Sequence, residues 1–261
     1  MRNYFIALGL LVATFVSGVP GYAQGEVQAA QKKPSAPAPR RDISGVWFGP
    51  VIPRKQPAPP MTASGQAFFD AAKPMTGPRA EPVATTNDPF LLCDPMGIPR
   101  AVVYETRGIS FEHTPRRTIE LFQYGRLWRE IWTDGRQLPT NVGAPGANTS
   151  DPRYFGYSVG EWADDYTFVV RTTGFNENVW ATEQGHPRST NAIVEERYRR
   201  IDHDNLEVTV TITDPRSYAK PYEIMKQIYT WDPKQEFEEQ LCIPTEAVVY
   251  RDTFTPAGQK K

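Results

Sequence analysis

An all-β fold, an antiparallel meander that closes into a barrel, is predicted by three features of this sequence. The first is period-2 alternation, clearest in Leu206-Glu207-Val208-Thr209-Val210-Thr211-Ile212-Thr213, where four apolar and four polar side chains fall on opposite faces. The second is turn chemistry between successive runs: Tyr124-Gly125-Arg126, Ala163-Asp164-Asp165, Asp202-His203-Asp204-Asn205 and Asp232-Pro233-Lys234. The third is that no window after residue 74 holds a helical period for more than three turns. A long antiparallel sheet with one apolar face buries it, and removes its edges, by curling on itself.

The elements follow in order. Ile43-Ser44-Gly45-Val46-Trp47-Phe48 is the first strand. A Pro-rich connection over 49–61 leads to Thr62, which caps a short helix running to Lys73, with Phe68 and Ala71 on its buried face and Pro74 as its stop. Residues 74–100 are Pro-rich and read as an irregular wrap pinned by Cys93. Strands are then expected at 101–105, 108–113, 117–124, 127–133, 155–162, 166–171, 192–200, 205–213, 222–231 and 235–242. The short connections make neighbouring strands antiparallel. Two long loops, 134–154 and 172–191, interrupt the series, and long loops in compact domains are often functional.

Residues 1–23 have the form of a secretory signal peptide: Arg2 as the sole charge, an apolar run from Phe5 to Val16 and small residues in Gly21-Tyr22-Ala23, with cleavage expected after Ala23. Residues 24–41 read as a disordered linker, 42–254 as a single β-barrel domain and 255–261 as a flexible tail. The chain is therefore expected in the periplasm or secreted, with no membrane span after cleavage. The polar faces of the strands argue against an outer-membrane barrel, which needs an outward apolar belt. Losing Arg2 moves the formal charge from −1 to about −2, with no basic excess to favour nucleic acid or anionic lipid. The two cysteines, Cys93 and Cys242, are expected to form a disulfide in an oxidising compartment.

Candidate chemistry is sparse. In Glu195-Glu196-Arg197-Tyr198-Arg199-Arg200, one charged set must face the barrel interior, where charges need partners or water. Two readings stay open: a self-satisfied Glu–Arg network, or a polar cavity lined by Glu195 or Glu196 with Arg197. Trp128, Glu130 and Trp132 share one face of a strand that ends in Thr133-Asp134-Gly135-Arg136. Arg136 is either an anion grip or a surface ion pair with Asp134. His186, in Gly185-His186-Pro187-Arg188-Ser189, is the best single acid–base candidate. Ser158 matches G-x-S-x-G only superficially, because that motif needs a strand-to-helix turn. No zinc spacing, phosphate loop or dinucleotide fingerprint is present, so no metal or cofactor is expected.

Gly45-Val46-Trp47 resembles the Gly-x-Trp signature of lipocalin-like barrels. Cys93-Asp94-Pro95-Met96-Gly97-Ile98-Pro99-Arg100, Thr133-Asp134-Gly135-Arg136, Gly156-Tyr157-Ser158-Val159-Gly160-Glu161-Trp162, Thr173-Gly174-Phe175-Asn176, Glu196-Arg197-Tyr198-Arg199-Arg200 and Asp214-Pro215-Arg216-Ser217-Tyr218-Ala219-Lys220-Pro221 follow in that order. Together they resemble a large family of exported bacterial proteins of unknown function, over nearly all of residues 42–242. The resemblance implies a lipocalin-like fold and an exported address. Members tend to carry histidines where this chain has Arg188 and Ile193, and an acidic residue where it has Thr182. Of any histidine cluster in the family, this chain would keep His186 alone.

The expected function is that of an exported small-molecule-binding protein. Its ligand would sit in the barrel cavity, contacted by Trp128, Trp132, Arg136, His186, Glu196, Arg197 and Tyr198. The alternatives are a hydrolase or isomerase using His186 with Glu196 or Asp134, and a non-enzymatic structural or interaction protein of the envelope.

Overall fold

The computed structural model describes residues 35–50, 54–104, 108–146, 150–177 and 179–256. The signal-peptide expectation, residues 24–34 of the linker and residues 257–261 of the tail lie outside the described residues. Nine strands form a closed barrel in sequence order: β1 (Gly45–Phe48), β2 (Ile109–His113), β3 (Arg117–Phe122), β4 (Leu127–Trp132), β5 (Tyr157–Trp162), β6 (Thr167–Thr173), β7 (Ile193–Arg200), β8 (Asn205–Thr213) and β9 (Tyr222–Trp231). The closing pair is β1 with β9, joined at Trp47↔Trp231 and Phe48↔Thr230.

Closure with nine strands imposes a condition. Strands that alternate in direction around a ring must be even in number, so an odd ring needs a parallel pair. It falls at β4–β5, registered at Ile131↔Ser158 and Trp132↔Val159, while every other pair is antiparallel. The chain reaches a parallel neighbour only by a long return, and the first long loop supplies it.

The alternation read from sequence holds inside the barrel. Leu206, Val208, Val210 and Ile212 of β8 are fully buried, and Phe111, Phe168, Val170, Val194, Tyr198 and Tyr229 meet them from other strands. At one end Trp47 is fully buried, its Nε1 donating to Ile43 O at 2.9 Å. The Arg200 guanidinium lies 4.9 Å from the Trp47 ring and donates to Asp42 O and His203 O, both at 2.8 Å, which ties β7 to the chain entering β1.

Among the described residues, three α-helices and one turn of 3-10 helix, Pro89–Leu92, complete the fold. The first, α1 (Ala63–Ala71), is capped as expected by Thr62, whose Oγ1 accepts from Gly65 N at 3.0 Å. Its contact residue differs from expectation: Ala71 is exposed and Phe68 half-buried, and the buried position is Gly65. A Cβ there would lie 2.1 Å from Ser217 O, so the helix docks by its bare backbone.

Three further expectations are corrected, and one helix falls where no element was expected. Residues 101–104 are not a strand, and residue 105 lies outside the described residues. Arg100–Val103 form α2, one helical turn with Val102 and Val103 both buried, because a short apolar run fits either geometry. Residues 235–242 form no strand: β9 already pairs with β1, and this acidic segment makes a single bridge, Gln240 to Tyr124. Pro244–Phe254 form α3, which has no apolar stripe to announce it; Val248, Val249, Tyr250 and Phe254 are exposed. Residues 35–41, expected in the linker, hydrogen-bond to the barrel turns: Ala36 O accepts from His203 N at 2.8 Å and Arg41 N donates to Asp165 O at 2.6 Å.

Cys93 and Cys242 form a disulfide with Cα atoms 5.5 Å apart and a sequence separation of 149. No helix among the described residues is long and apolar enough to cross a membrane. By the loop-entropy relation, closing so long a segment stabilises the fold by about 5 kcal/mol. The Cys93→Ser/Cys242→Ser variant is expected to lose up to that amount, read as a lower urea midpoint with the slope of the transition followed to detect a more expanded unfolded chain.

Candidate ligand site at the parallel seam

The seam between β4 and β5 holds two residue pairs, because the C-terminal end of β4 meets the N-terminal end of β5. The first four of the six residues of β4, 127–130, therefore have no strand partner on that side among the described residues. Residues 153–156 cross the gap instead, anchored by Arg153 N to Gly174 O and Asn176 N to Arg153 O, at 3.0 and 3.1 Å. A cleft of about 310 Å³ remains there, walled by Trp128, Trp132, Phe155 and Tyr157, with Arg153 and Glu130 alongside and Arg129 and Ser158 beneath. Beyond the other end of the seam, a smaller cleft of about 170 Å³ lies between Gly135–Leu138 and β5–β6.

Beneath the larger cleft, β3, β4 and β7 converge on a buried charge cluster. Arg129 is 4% exposed, Glu120 and Glu196 are fully buried, and so is Tyr198. Arg129 Nε donates to Glu120 Oε2 at 2.6 Å and Nη2 to Glu196 Oε2 at 2.7 Å. The Tyr198 hydroxyl lies 3.1 Å from Glu120 Oε1 and 3.3 Å from Glu196 Oε1. Arg129 Nη1 reaches Ser158 Oγ and Thr172 Oγ1 at 3.4 Å each, and those hydroxyls are 2.9 Å apart. Every charged member thus has a charged or hydroxyl partner, the condition for burying it.

Two carboxylates face one guanidinium, leaving one negative charge in excess. Burial first, and the neighbouring Glu196 with it, pushes the Glu120 carboxyl up to about 7 against the pull of Arg129. Burial also raises the Tyr198 phenol well above its ordinary value. Burial opposes the charge on Arg129, but Glu120 and Glu196 outweigh it and hold the guanidinium protonated.

The sequence-selected residues separate into three places. Glu196 and Tyr198 point inward and join the cluster, with Arg200 on the same face. Arg197 points outward and pairs with Glu195 at 3.6 Å. The Glu–Arg network reading of β7 therefore holds, but its arginine comes from β4. Trp128 and Trp132 face out of the barrel rather than into it; Trp128 is 57% exposed, and both wall the lateral cleft. Arg136 makes the surface ion pair: its Nε and Nη2 donate to Asp134 at 2.9 and 2.8 Å, and its guanidinium stacks 3.6 Å from the Trp132 ring centre. Those hydrogen bonds, with a further one from Arg116, hold the Asp134 carboxyl well below the usual range.

His186 lies outside the barrel against α1. Its ring stacks on Phe69 at 5.0 Å, and its Nδ1 is 2.6 Å from Thr182 Oγ1. Burial, then Arg79 and Lys55, depress it to about 4, so it is neutral near pH 7. Neither Glu196 nor Asp134 is its hydrogen-bond partner; each is taken up elsewhere. Ser158 lies within a strand, hydrogen-bonded and 3% exposed. No group of three or more metal-ligating side chains occurs among the described residues.

Glu120 and Arg129 are the site residues that sequence reading missed. Their signal was the inward alternation Thr118, Glu120, Phe122 and the opposite placement of Arg129 to the tryptophans. Known protein families, curated proteins and solved structures contain no match to this chain.

Arg129→Met strands two buried carboxylates and is expected to cost about 3–5 kcal/mol, measured by urea unfolding. The pH dependence has two opposing parts. Glu120 holds its proton more tightly folded than unfolded, so its contribution is full below about pH 4.5 and fades as the pH rises through about 7. His186 does the reverse, its contribution growing between about 4 and 6.5. Across that interval, Glu120→Gln is expected to gain stability with pH more steeply than wild type, in urea midpoints taken at half-unit steps.

Proposed function

We propose that this protein is an exported binder of small aromatic compounds that carry an anionic group, held in the lateral cleft beside β4. The observation that carries this reading is the combination of one exposed and three half-buried aromatic rings around a cleft with a cation that lacks an acidic partner among the described residues. Trp128, Trp132, Phe155 and Tyr157 present ring surface around about 310 Å³, the lower end of the range for small-molecule sites. Arg153 stacks on Tyr157 at 4.1 Å and forms no salt bridge among the described residues, so its guanidinium is available to an incoming anion. Glu130, the acidic side chain of the wall, is paired with Arg117. Stacking supplies affinity, and the arginine supplies orientation. The buried cluster beneath acts as a rigid floor, because Arg129 of β4 binds side chains from β3, β5, β6 and β7 there.

The disulfide supports the exported part of the reading, since such bonds persist in oxidising compartments. The pairing that a histidine-based hydrolase or isomerase would need is not made, and the binding reading is preferred on that ground.

The test uses 1-anilinonaphthalene-8-sulfonate, an aromatic anion whose fluorescence rises in apolar surroundings. Saturable one-site binding is expected. Arg153→Gln and Trp132→Ala are each expected to weaken it about tenfold, the effect of one charge-assisted hydrogen bond or one stacking face. Unsaturable binding, or affinity unchanged in both variants, would remove the proposal.

A further inference from the structure

We propose a second binding site, for a small aliphatic carboxylate, in a cleft of about 380 Å³ beside the Ser64 and Phe68 positions of α1, where two arginines and an unpartnered serine hydroxyl meet. It is independent of the aromatic cleft. Three segments are stapled together to form it. Asp214, which follows β8, accepts from Ser189 N at 2.8 Å and Ser189 Oγ at 2.6 Å. Ser64 Oγ donates to Arg216 O at 2.6 Å, and Thr62 N donates to Ser217 O at 3.1 Å. The walls are thus fixed before any ligand arrives.

Two arginines and two acids, Glu177 and Asp214, surround this cleft, but among the described residues neither guanidinium is hydrogen-bonded to either acid. Arg188 is 2% exposed, yet no carboxylate hydrogen-bonds to it. Its Nη1 donates to Ile98 O and Tyr154 O, its Nη2 donates to Asn176, and its Nε–H has no partner. Carbonyl dipoles solvate a guanidinium but leave its full charge acting on the space beside it. Burial lowers its pKa to about 9, partly offset by Asp214, so it stays charged near neutrality. Arg216 is exposed on the same cleft, and its guanidinium has no partner among the described residues. Ser217 is 3% exposed, and its hydroxyl, also lining the cleft, makes no hydrogen bond among the described residues. These groups offer a charge-assisted donor, a neutral donor and a buried positive field to one oxyanion. Glu177 also lines the cleft, and with Asp214 behind it limits the charge accepted. That favours one carboxylate over a phosphate dianion, and Phe68 provides a wall for an aliphatic chain.

The experiment is saturation-transfer NMR of sodium butyrate with the mature protein, which detects weak binding. Wild type is expected to transfer signal to the butyrate chain. Arg216→Gln and Ser217→Ala are each expected to reduce affinity by about tenfold or more; both leave the carbonyl contacts of Arg188 intact, and their folding is checked by circular dichroism. Butanol, which lacks the charge, is expected to give no transfer. Butyrate is also expected to leave 1-anilinonaphthalene-8-sulfonate in place, which separates this site from the aromatic cleft. Equal transfer in wild type and both variants, equal transfer to butanol, absence of transfer in wild type, or displacement of butyrate by equimolar inorganic phosphate would each overturn the assignment.

Discussion

An odd-numbered ring of strands cannot alternate all the way round, and the rest of this molecule follows from where the exception falls. The parallel pair β4–β5 needs a return of more than twenty residues, and its register lets the strands overlap by two pairs only. Apart from the short β1, with three pairs to β2 and two to β9, pairing elsewhere around the ring runs along much of each strand, as in the eight pairs between β7 and β8. A wall this thinly hydrogen-bonded would be the weak line of the barrel without a compensating interaction. Arg129 provides one, reaching Glu120 on β3, Glu196 on β7 and the hydroxyls of Ser158 and Thr172 on β5 and β6.

Placing that cluster at the seam explains two otherwise separate facts. The interior tolerates charge there because one arginine is shared by two acids, and the excess negative charge is relieved by the proton affinity of Glu120. The surface above it opens because β4 and β5 overlap by two pairs only, which leaves a cleft beside the outward rings of β4. Structure and proposed binding therefore share one cause, a register offset. The histidine that looked most like chemistry sits elsewhere, packed flat on Phe69 as part of the joint between α1 and the second long loop.

Much of the barrel was legible in sequence, because side-chain alternation is local and each turn carries its own signature. All nine strands fall where their patterns place them, within a residue or two. The disulfide was equally readable from cysteine number together with the expectation of export. What could not be read depends on counting or on facing. The parallel seam is a property of the closed ring, invisible in any one segment. Which face of β3 turns inward was ambiguous because Ile119 and Leu121 are as apolar as Phe122. The aromatic side chains of β4 suggested a lining, yet in this barrel they form an outer wall, and the arginine between them is the inward residue. In α2, four residues fit a strand or a turn of helix equally well. In α3, Pro244 was a start signal with no amphipathic stripe behind it.

The covalent bond between Cys93 and Cys242 divides the staves unequally. Strands β2 to β9 all lie within the hoop it makes, whereas β1 lies outside it, joined by three residue pairs to one neighbour and two to the other. The ninth stave is thus a wedge driven into a belt that is already tied. Mechanical tension on the chain upstream of Cys93 would draw out that wedge first and leave the belted eight in register, so opening of this molecule begins at the edge where Trp47 seats.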